Sequence, residues 1–133
     1  MFSIKSDNKA ILKKQTLKKV WNIGKLYSSF LLSRLLKIPI TWGKPSSISI
    51  EPTTACNLGC PECPSGLKQF TRDTGNLKFD LNKKIIDELG AYLSFINFYF
   101  QGEPFINPDF LKLVNYASDS GIYTGTSTNA HFI

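Results

Sequence analysis

From residue 47 onward the chain alternates short strands with amphipathic helices, and this alternation limits its fold more than any other feature. Ile48-Ser49-Ile50 has the period-two pattern of a strand. After a polar, glycine-containing stretch at 65–79, Asp80 is positioned to cap a helix over 81–93, with Ile85, Ile86 and Leu89 facing inward. Residues 95–100 form an aromatic-rich strand that ends at Gly102-Glu103-Pro104. Asn107-Pro108 opens a further helix with proline in its first turn. Its apolar face is Phe110, Leu111, Leu113, Val114 and Ala117, and Gly121 stops it before a third strand over 122–128. The order β-α-β-α-β predicts an α/β fold with parallel strands and right-handed crossovers. A parallel sheet needs cover on both faces, and no helix follows the third strand. The expectation is therefore a partial reading of a longer barrel, inactive alone; the alternative is a small protein completed by a partner chain.

All three cysteines fall within eight residues, Cys56-Asn57-Leu58-Gly59-Cys60-Pro61-Glu62-Cys63. An odd, clustered count argues against a disulfide framework and fits a reducing, cytoplasmic compartment. The spacing C-x3-C-x2-C lets a short loop wrap one small cluster, each thiolate meeting a different iron. A [4Fe–4S] cubane held this way keeps one iron without a protein ligand, which is what a catalytic cluster needs. Gly59 is expected to allow a tight turn between ligands. Two other readings are a zinc site, with the distant His131 as fourth ligand, and plain structural thiols. His131 otherwise reads as a structural or surface residue.

The net charge of +6 is unevenly spread. Residues 1–46 carry ten Lys/Arg against Asp7 alone, a balance of +9, and the remainder carries six basic and nine acidic residues, a balance of −3. The division at residue 46 separates a basic helical arm and linker from a core segment at 47–133. Within the arm, 8–37 reads as one helix with Leu12, Thr16, Val20, Ile23, Tyr27, Phe30 and Leu31 on one face and Lys14, Lys18 and Lys25 on another. Pro39 lies past its end, and Gly43 and Pro45 mark the linker. Two readings follow. The helix packs on the core with its apolar stripe buried and its lysines solvated, or it lies on an anionic membrane as a peripheral contact. The apolar run at 26–36 is interrupted by Ser28, Ser29, Ser33 and Arg34, and no small-residue cleavage site follows it, so neither a spanning helix nor a secretory signal is expected. No specific nucleic-acid signal is present.

The cysteine run directly after a first strand resembles the radical S-adenosylmethionine (radical SAM) superfamily. The stretch Glu51-Pro52-Thr53-Thr54-Ala55-Cys56-Asn57-Leu58 is similar to members that carry a C-terminal auxiliary-cluster (SPASM or twitch) domain. Gln101-Gly102-Glu103-Pro104 resembles the Gly-Gly-Glu-Pro motif after strand two, and Thr126-Ser127-Thr128-Asn129 the Thr-Asn-Gly segment after strand three. The sequence departs from the family at Glu62, where an aromatic residue usually stands, and at Gln101, where the first glycine would be.

The resemblance implies a partial (β/α)6 TIM-like radical SAM barrel, its first three βα units lying at about 47–133. It implies a [4Fe–4S] cluster on Cys56, Cys60 and Cys63, and S-adenosylmethionine cleaved reductively to methionine and a 5′-deoxyadenosyl radical that abstracts hydrogen. Gly102 would let backbone approach a ligand closely; Glu103, or the strand-end carbonyls beside it, would accept hydrogen bonds from the methionine ammonium; Asn129 would bond S-adenosylmethionine or the cysteine loop. It further implies an electron donor such as flavodoxin or ferredoxin and, by analogy with the auxiliary-cluster members, a peptide or protein substrate. The competing function is a non-enzymatic iron–sulfur or zinc module, although an electron carrier usually supplies four cysteine ligands.

Overall fold

The computed structural model describes residues 4–133. Two helices, α1 (Ile4–Lys13) and α2 (Leu17–Leu36), precede strand β1 (Ser47–Ile50). Helix α3 (Phe79–Leu89), strand β2 (Phe95–Phe98), helix α4 (Phe110–Asp119) and strand β3 (Tyr123–Thr126) follow, with a 3-10 turn at Pro104–Ile106. The three strands form a parallel sheet in the order β1-β2-β3. The register pairs Ile48 with Ile96 and Ile50 with Phe98, and Ile96 with Thr124 and Phe98 with Thr126.

Period-two alternation puts Ile50, Ile96 and Phe98 on one face of the sheet. There they meet Ile86 of α3 and Phe110, Leu113 and Ala117 of α4 in a single buried core with Leu93 and Ile122. The Phe98 and Phe110 rings pack edge to face with centroids 6.4 Å apart. The other face carries Ser49, Asn97 and Gly125, together with a stacked Phe95–Tyr123 pair.

Three expected helices differ in detail. Helix α4 starts at Phe110, so Asn107-Pro108 precedes it and the proline is not in its first turn. Helix α3 starts at Phe79, so Asp80 lies in its first turn and not at the cap; Lys78 takes that position without a side-chain bond. The acidic side chain still suits the positive end of the helix dipole. The single helix expected over 8–37 is two helices, broken at Lys14–Gln15–Thr16. Thr16 has extended backbone angles, and its hydroxyl accepts a bond from the Lys19 amide, capping α2 and ending continuity with α1.

The arm docks on the sheet segment through polar groups. Lys14 Nζ donates to the carbonyls of Ser118 and Ile122, and Lys19 Nζ donates to that of Gly121. These carbonyls close the C-terminal end of α4, where a cation meets the negative pole of the helix. Burial, and secondarily the nearby Lys14, push the Lys19 amine below its ordinary range. Ser94 Oγ donates to Gln15 Oε1, and Tyr123 OH donates to Asp7. Ser94 immediately precedes β2, and Tyr123 opens β3, so the arm sits at the N-terminal ends of the strands. The expectation of a buried apolar stripe is overturned: Lys19, Asn22 and Ser29 are the buried residues of α2, while Val20, Ile23, Tyr27, Phe30 and Leu31 are exposed. Of the lysines expected to be solvated, Lys18 and Lys25 are exposed and Lys14 is half-buried. No described helix is long and apolar enough to cross a membrane.

Candidate functional site

The loops that leave the C-terminal ends of the three strands lie together, at the opposite end of the sheet from the arm. The loop after β1 carries the three cysteines. Its root is fixed before the first of them: Leu77 N–H donates to Pro52 O, Thr54 N–H to Gly75 O, and Thr53 Oγ to Gly75 O. Thr53 and Asn76 form an isolated antiparallel bridge, so the 65–79 segment returns alongside the outgoing chain. The Asn107 side chain, almost fully buried, donates to both Pro52 O and Leu77 O. Asn107 therefore joins the two sides of this root, a role its reading as a helix start did not foresee.

Beyond the root the loop folds into tight turns, Cys63 N–H bonding Cys60 O and Leu67 N–H bonding Cys63 O. The close approach occurs at Gly66, where a Cβ would fall 2.6 Å from Cys60 N and 2.7 Å from Cys60 O. The tight turn assigned to Gly59 is corrected on the same ground: a Cβ there meets nothing within 4 Å. All three cysteines are unbridged, with Cys60 exposed and Cys56 and Cys63 half-buried. The backbone N–H of Gly66, then that of Ser65, hold the Cys63 thiol below the range of an ordinary cysteine, which favours the thiolate that binds metal. Among the described residues no three His, Cys, Asp or Glu side chains are gathered as a metal cage. The donor set nevertheless fits an iron–sulfur cluster in its chemistry: three unbridged thiols on one loop, one of them biased towards thiolate. His131 is exposed, its ring beside Phe132.

The β2 loop locks onto the cysteine loop through Gly102. This residue has φ +75°, and a Cβ would lie 2.3 Å from Thr53 O and 2.6 Å from Ala55 O. The close approach that glycine permits here is to the backbone leading into Cys56. Glu103 N–H donates to Ala55 O at 2.8 Å. Ser65 Oγ accepts from Gly102 N–H and donates to Gln101 Oε1, which lies 3.6 Å from Cys63 Sγ. Gln101, a departure from the family motif, is thereby a contact between the second loop and the third cysteine. No local signal in the sequence marks Ser65, because its partners are 36 and 37 residues away.

Glu103 is 2% exposed, and both of its carboxylate oxygens are engaged. One accepts from Thr128 Oγ at 2.7 Å and Phe105 N–H at 3.2 Å; the other accepts from Asn129 N–H at 2.8 Å. The carboxylate therefore ties the loop after β3 to the loop after β2. Asn129 completes the triangle by donating to Asn57 Oδ1 of the cysteine loop at 2.9 Å. A cleft of about 310 Å³ opens between the three loops, lined by Cys56, Cys60, Tyr99, Gly102, Glu103 and Asn129 among others. A second cleft of about 290 Å³ lies on the other side of Cys56, beside Ser65, Lys68, Phe70 and Arg72.

No family model matches the chain. It is 36% identical over 91 residues to a PqqA peptide cyclase of Bradyrhizobium diazoefficiens, which covers 68% of this chain and 23% of that protein. It is 40% identical over 85 residues to mycofactocin maturase MftC of Mycobacterium tuberculosis, covering 64% and 21% respectively. An AdoMet-dependent heme synthase of Methanosarcina barkeri is 33% identical over 85 residues, covering 64% and 24%. Among solved structures, BtrN in complex with AdoMet and 2-DOIA aligns with a TM-score of 0.59 at 25% identity, over 66% of this chain and 37% of that one. The chain thus spans about a quarter of the length of the curated relatives it matches. With the cysteine, Gly-Glu-Pro and Thr-Asn segments on adjacent loops of one parallel sheet, the chain belongs to the radical SAM superfamily and resembles its SPASM-type members.

Proposed function

We propose that residues 47–133 form the first βα units of a (β/α)6 TIM-like radical SAM barrel, with residues 1–46 as an appended arm, in an enzyme that generates a 5′-deoxyadenosyl radical. The observation that carries this reading is Glu103, whose buried carboxylate ties the third motif loop to the second and whose N–H bonds Ala55 O of the first, beside Cys56 and Cys60. Burying a carboxylate is costly unless its lone pairs are filled, so such a tie serves to hold a site in shape. The polar, small-residue face at Ser49, Asn97 and Gly125 suits the inside of a barrel, and the helix-covered face suits its outside.

The thiolates of Cys56, Cys60 and Cys63 would hold the [4Fe–4S] cluster. When bound, cluster and S-adenosylmethionine together supply one-electron cleavage of the sulfonium and the radical that abstracts hydrogen from substrate. This chain's own residues do the positioning. Gly102 and Ser65 fix the second loop against the first, Asn129 fixes the third, and the strand-end carbonyls beside Glu103 would accept from the methionine ammonium. Glu103 acts mainly through the loops it ties, since its oxygens are already engaged. Similarity to a PqqA peptide cyclase supports a peptide substrate. A flavodoxin or ferredoxin is the electron donor in this reading, and clustered, unbridged thiols support a reducing, cytoplasmic setting.

The test is anaerobic reconstitution of the chain with iron and sulfide. About four irons per chain are expected, with broad absorbance near ~400 nm that is lost on changing any one of the three cysteines to alanine. Stoichiometric zinc without iron would favour the metal-module reading instead.

A further inference from the structure

Helix α2 presents its polar side to the protein and its apolar side to solvent. Lys19, Asn22 and Ser29 are buried, and with the half-buried Leu26 and Ser33 they follow the three- and four-residue steps of one stripe. On the opposite side Leu17 and Leu35 are 91% and 78% exposed, with Val20, Trp21, Tyr27 and Leu31 exposed between them. The helix is therefore held without using its apolar face.

The chain after α2 extends that face. Ser33 Oγ accepts from Ile40 N–H, and the Asn22 side chain donates to Lys44 O and accepts from Lys44 N–H. This return places Trp42 beside Trp21 over a cleft of about 410 Å³. An adjoining cleft of about 400 Å³ brings Lys18, Lys25 and Lys44 to the same edge. Residues 8–50 hold nine Lys/Arg and no Asp or Glu, so the surroundings of the apolar face carry one sign of charge.

We propose that the outward face of α2, with Trp42, is a docking surface for an anionic phospholipid membrane. Leucines and valine enter the acyl boundary, the two tryptophans sit at headgroup depth, and Lys18, Lys25 and Lys44 meet lipid phosphates. The helix lies on the membrane, being too polar to cross it. Charge complementarity decides the occupant: a rim of cations alone around an apolar face that carries two tryptophans matches an anionic lipid surface. The arm sits at the N-terminal ends of the strands, so docking leaves the cysteine loop facing away from the membrane. The proposal does not depend on cluster chemistry.

Vesicle co-sedimentation of the full chain, with tryptophan emission as a second readout, tests it. Vesicles of phosphatidylcholine with phosphatidylglycerol should pellet the protein and shift its emission to the blue, vesicles of phosphatidylcholine alone should do so weakly, and high salt should release it. Lys18→Ala with Lys25→Ala should weaken partitioning by roughly fivefold per lysine. Trp21→Ser with Leu31→Ser should abolish the blue shift, with circular dichroism unchanged because neither side chain supports the fold. Equal binding to neutral vesicles, or no binding to anionic ones, would overturn the proposal. A stable dimer in sedimentation velocity that ignores vesicles would assign the face to a second copy and overturn it equally.

Discussion

In the sheet segment Ile96, Phe98, Leu113 and Ile122 have no exposed surface. In the arm Lys19, Asn22 and Ser29 point inward while Leu17, Trp21 and Leu35 point out. The first region is held by buried apolar area, which acts over many contacts. The second is held by a few directional bonds, which Lys14 and Lys19 donate to the end of α4 and Gln15 accepts from Ser94 at the N-terminal end of the sheet. Apolar area alone therefore does not explain where the arm sits; the carbonyls left open at the end of α4 do.

The contrast is broken most severely by a cavity in the core. Phe98→Ala should cost about 3–5 kcal/mol in chemical denaturation, whereas Leu35→Ala should change stability by less than about 0.5 kcal/mol. Comparable losses at the two positions would mean that the apolar face of α2 is buried. Gly102→Ala comes next. It places a methyl group against Thr53 O and Ala55 O at a φ of +75°, for which about 1–3 kcal/mol of strain is expected. Because the clash is with the chain leading into Cys56, iron loading should fall along with stability. Retention of full iron with loss of S-adenosylmethionine binding alone would instead mean that Gly102 makes room for ligand.

Lys19→Met keeps the length of the side chain and removes its bond to Gly121 O. It should cost about 1–2 kcal/mol and make the arm more sensitive to protease while the sheet segment stays protected. The smallest effect is expected at the surface pair of α3 and α4. Lys83, followed by Tyr116 OH at 2.6 Å, holds the Asp87 carboxyl below its ordinary 3.8. A depressed carboxylate stabilises the fold above its unfolded value and loses that contribution as pH falls through the folded value. Asp87→Asn should therefore be slightly less stable than the parent at neutral pH, and the difference should vanish towards lower pH in denaturation curves.

The order and type of the sheet elements were legible because periods of two and near four write burial directly into the sequence. Ile96 and Phe98, and Leu113 and Ala117, sit where that rule puts them. The break at Thr16 was hidden because apolar residues keep helical spacing across it; only the capping hydroxyl reveals it. The inward face of α2 was misread for a related reason. Periodicity identifies a stripe but not which side docks, and the bonds that decide it join residues over a hundred positions apart. At the site, spacing alone singles out the three cysteines as candidate metal ligands. Ser65, Gln101 and Asn107 could not, since each acts through partners at least 30 residues away. Asn129 was read as a bond either to S-adenosylmethionine or to the cysteine loop, and its side chain makes the second, to Asn57.

The central claim is that Cys56, Cys60 and Cys63 leave one iron of a [4Fe–4S] cluster open for S-adenosylmethionine. Electron paramagnetic resonance of the reduced, reconstituted chain, recorded with and without S-adenosylmethionine, addresses it most directly. The account predicts a reduced-cluster signal whose g-values and line shape change on saturation with S-adenosylmethionine, and no such signal in Cys60→Ala. A cluster signal that is identical with and without saturating S-adenosylmethionine would contradict it.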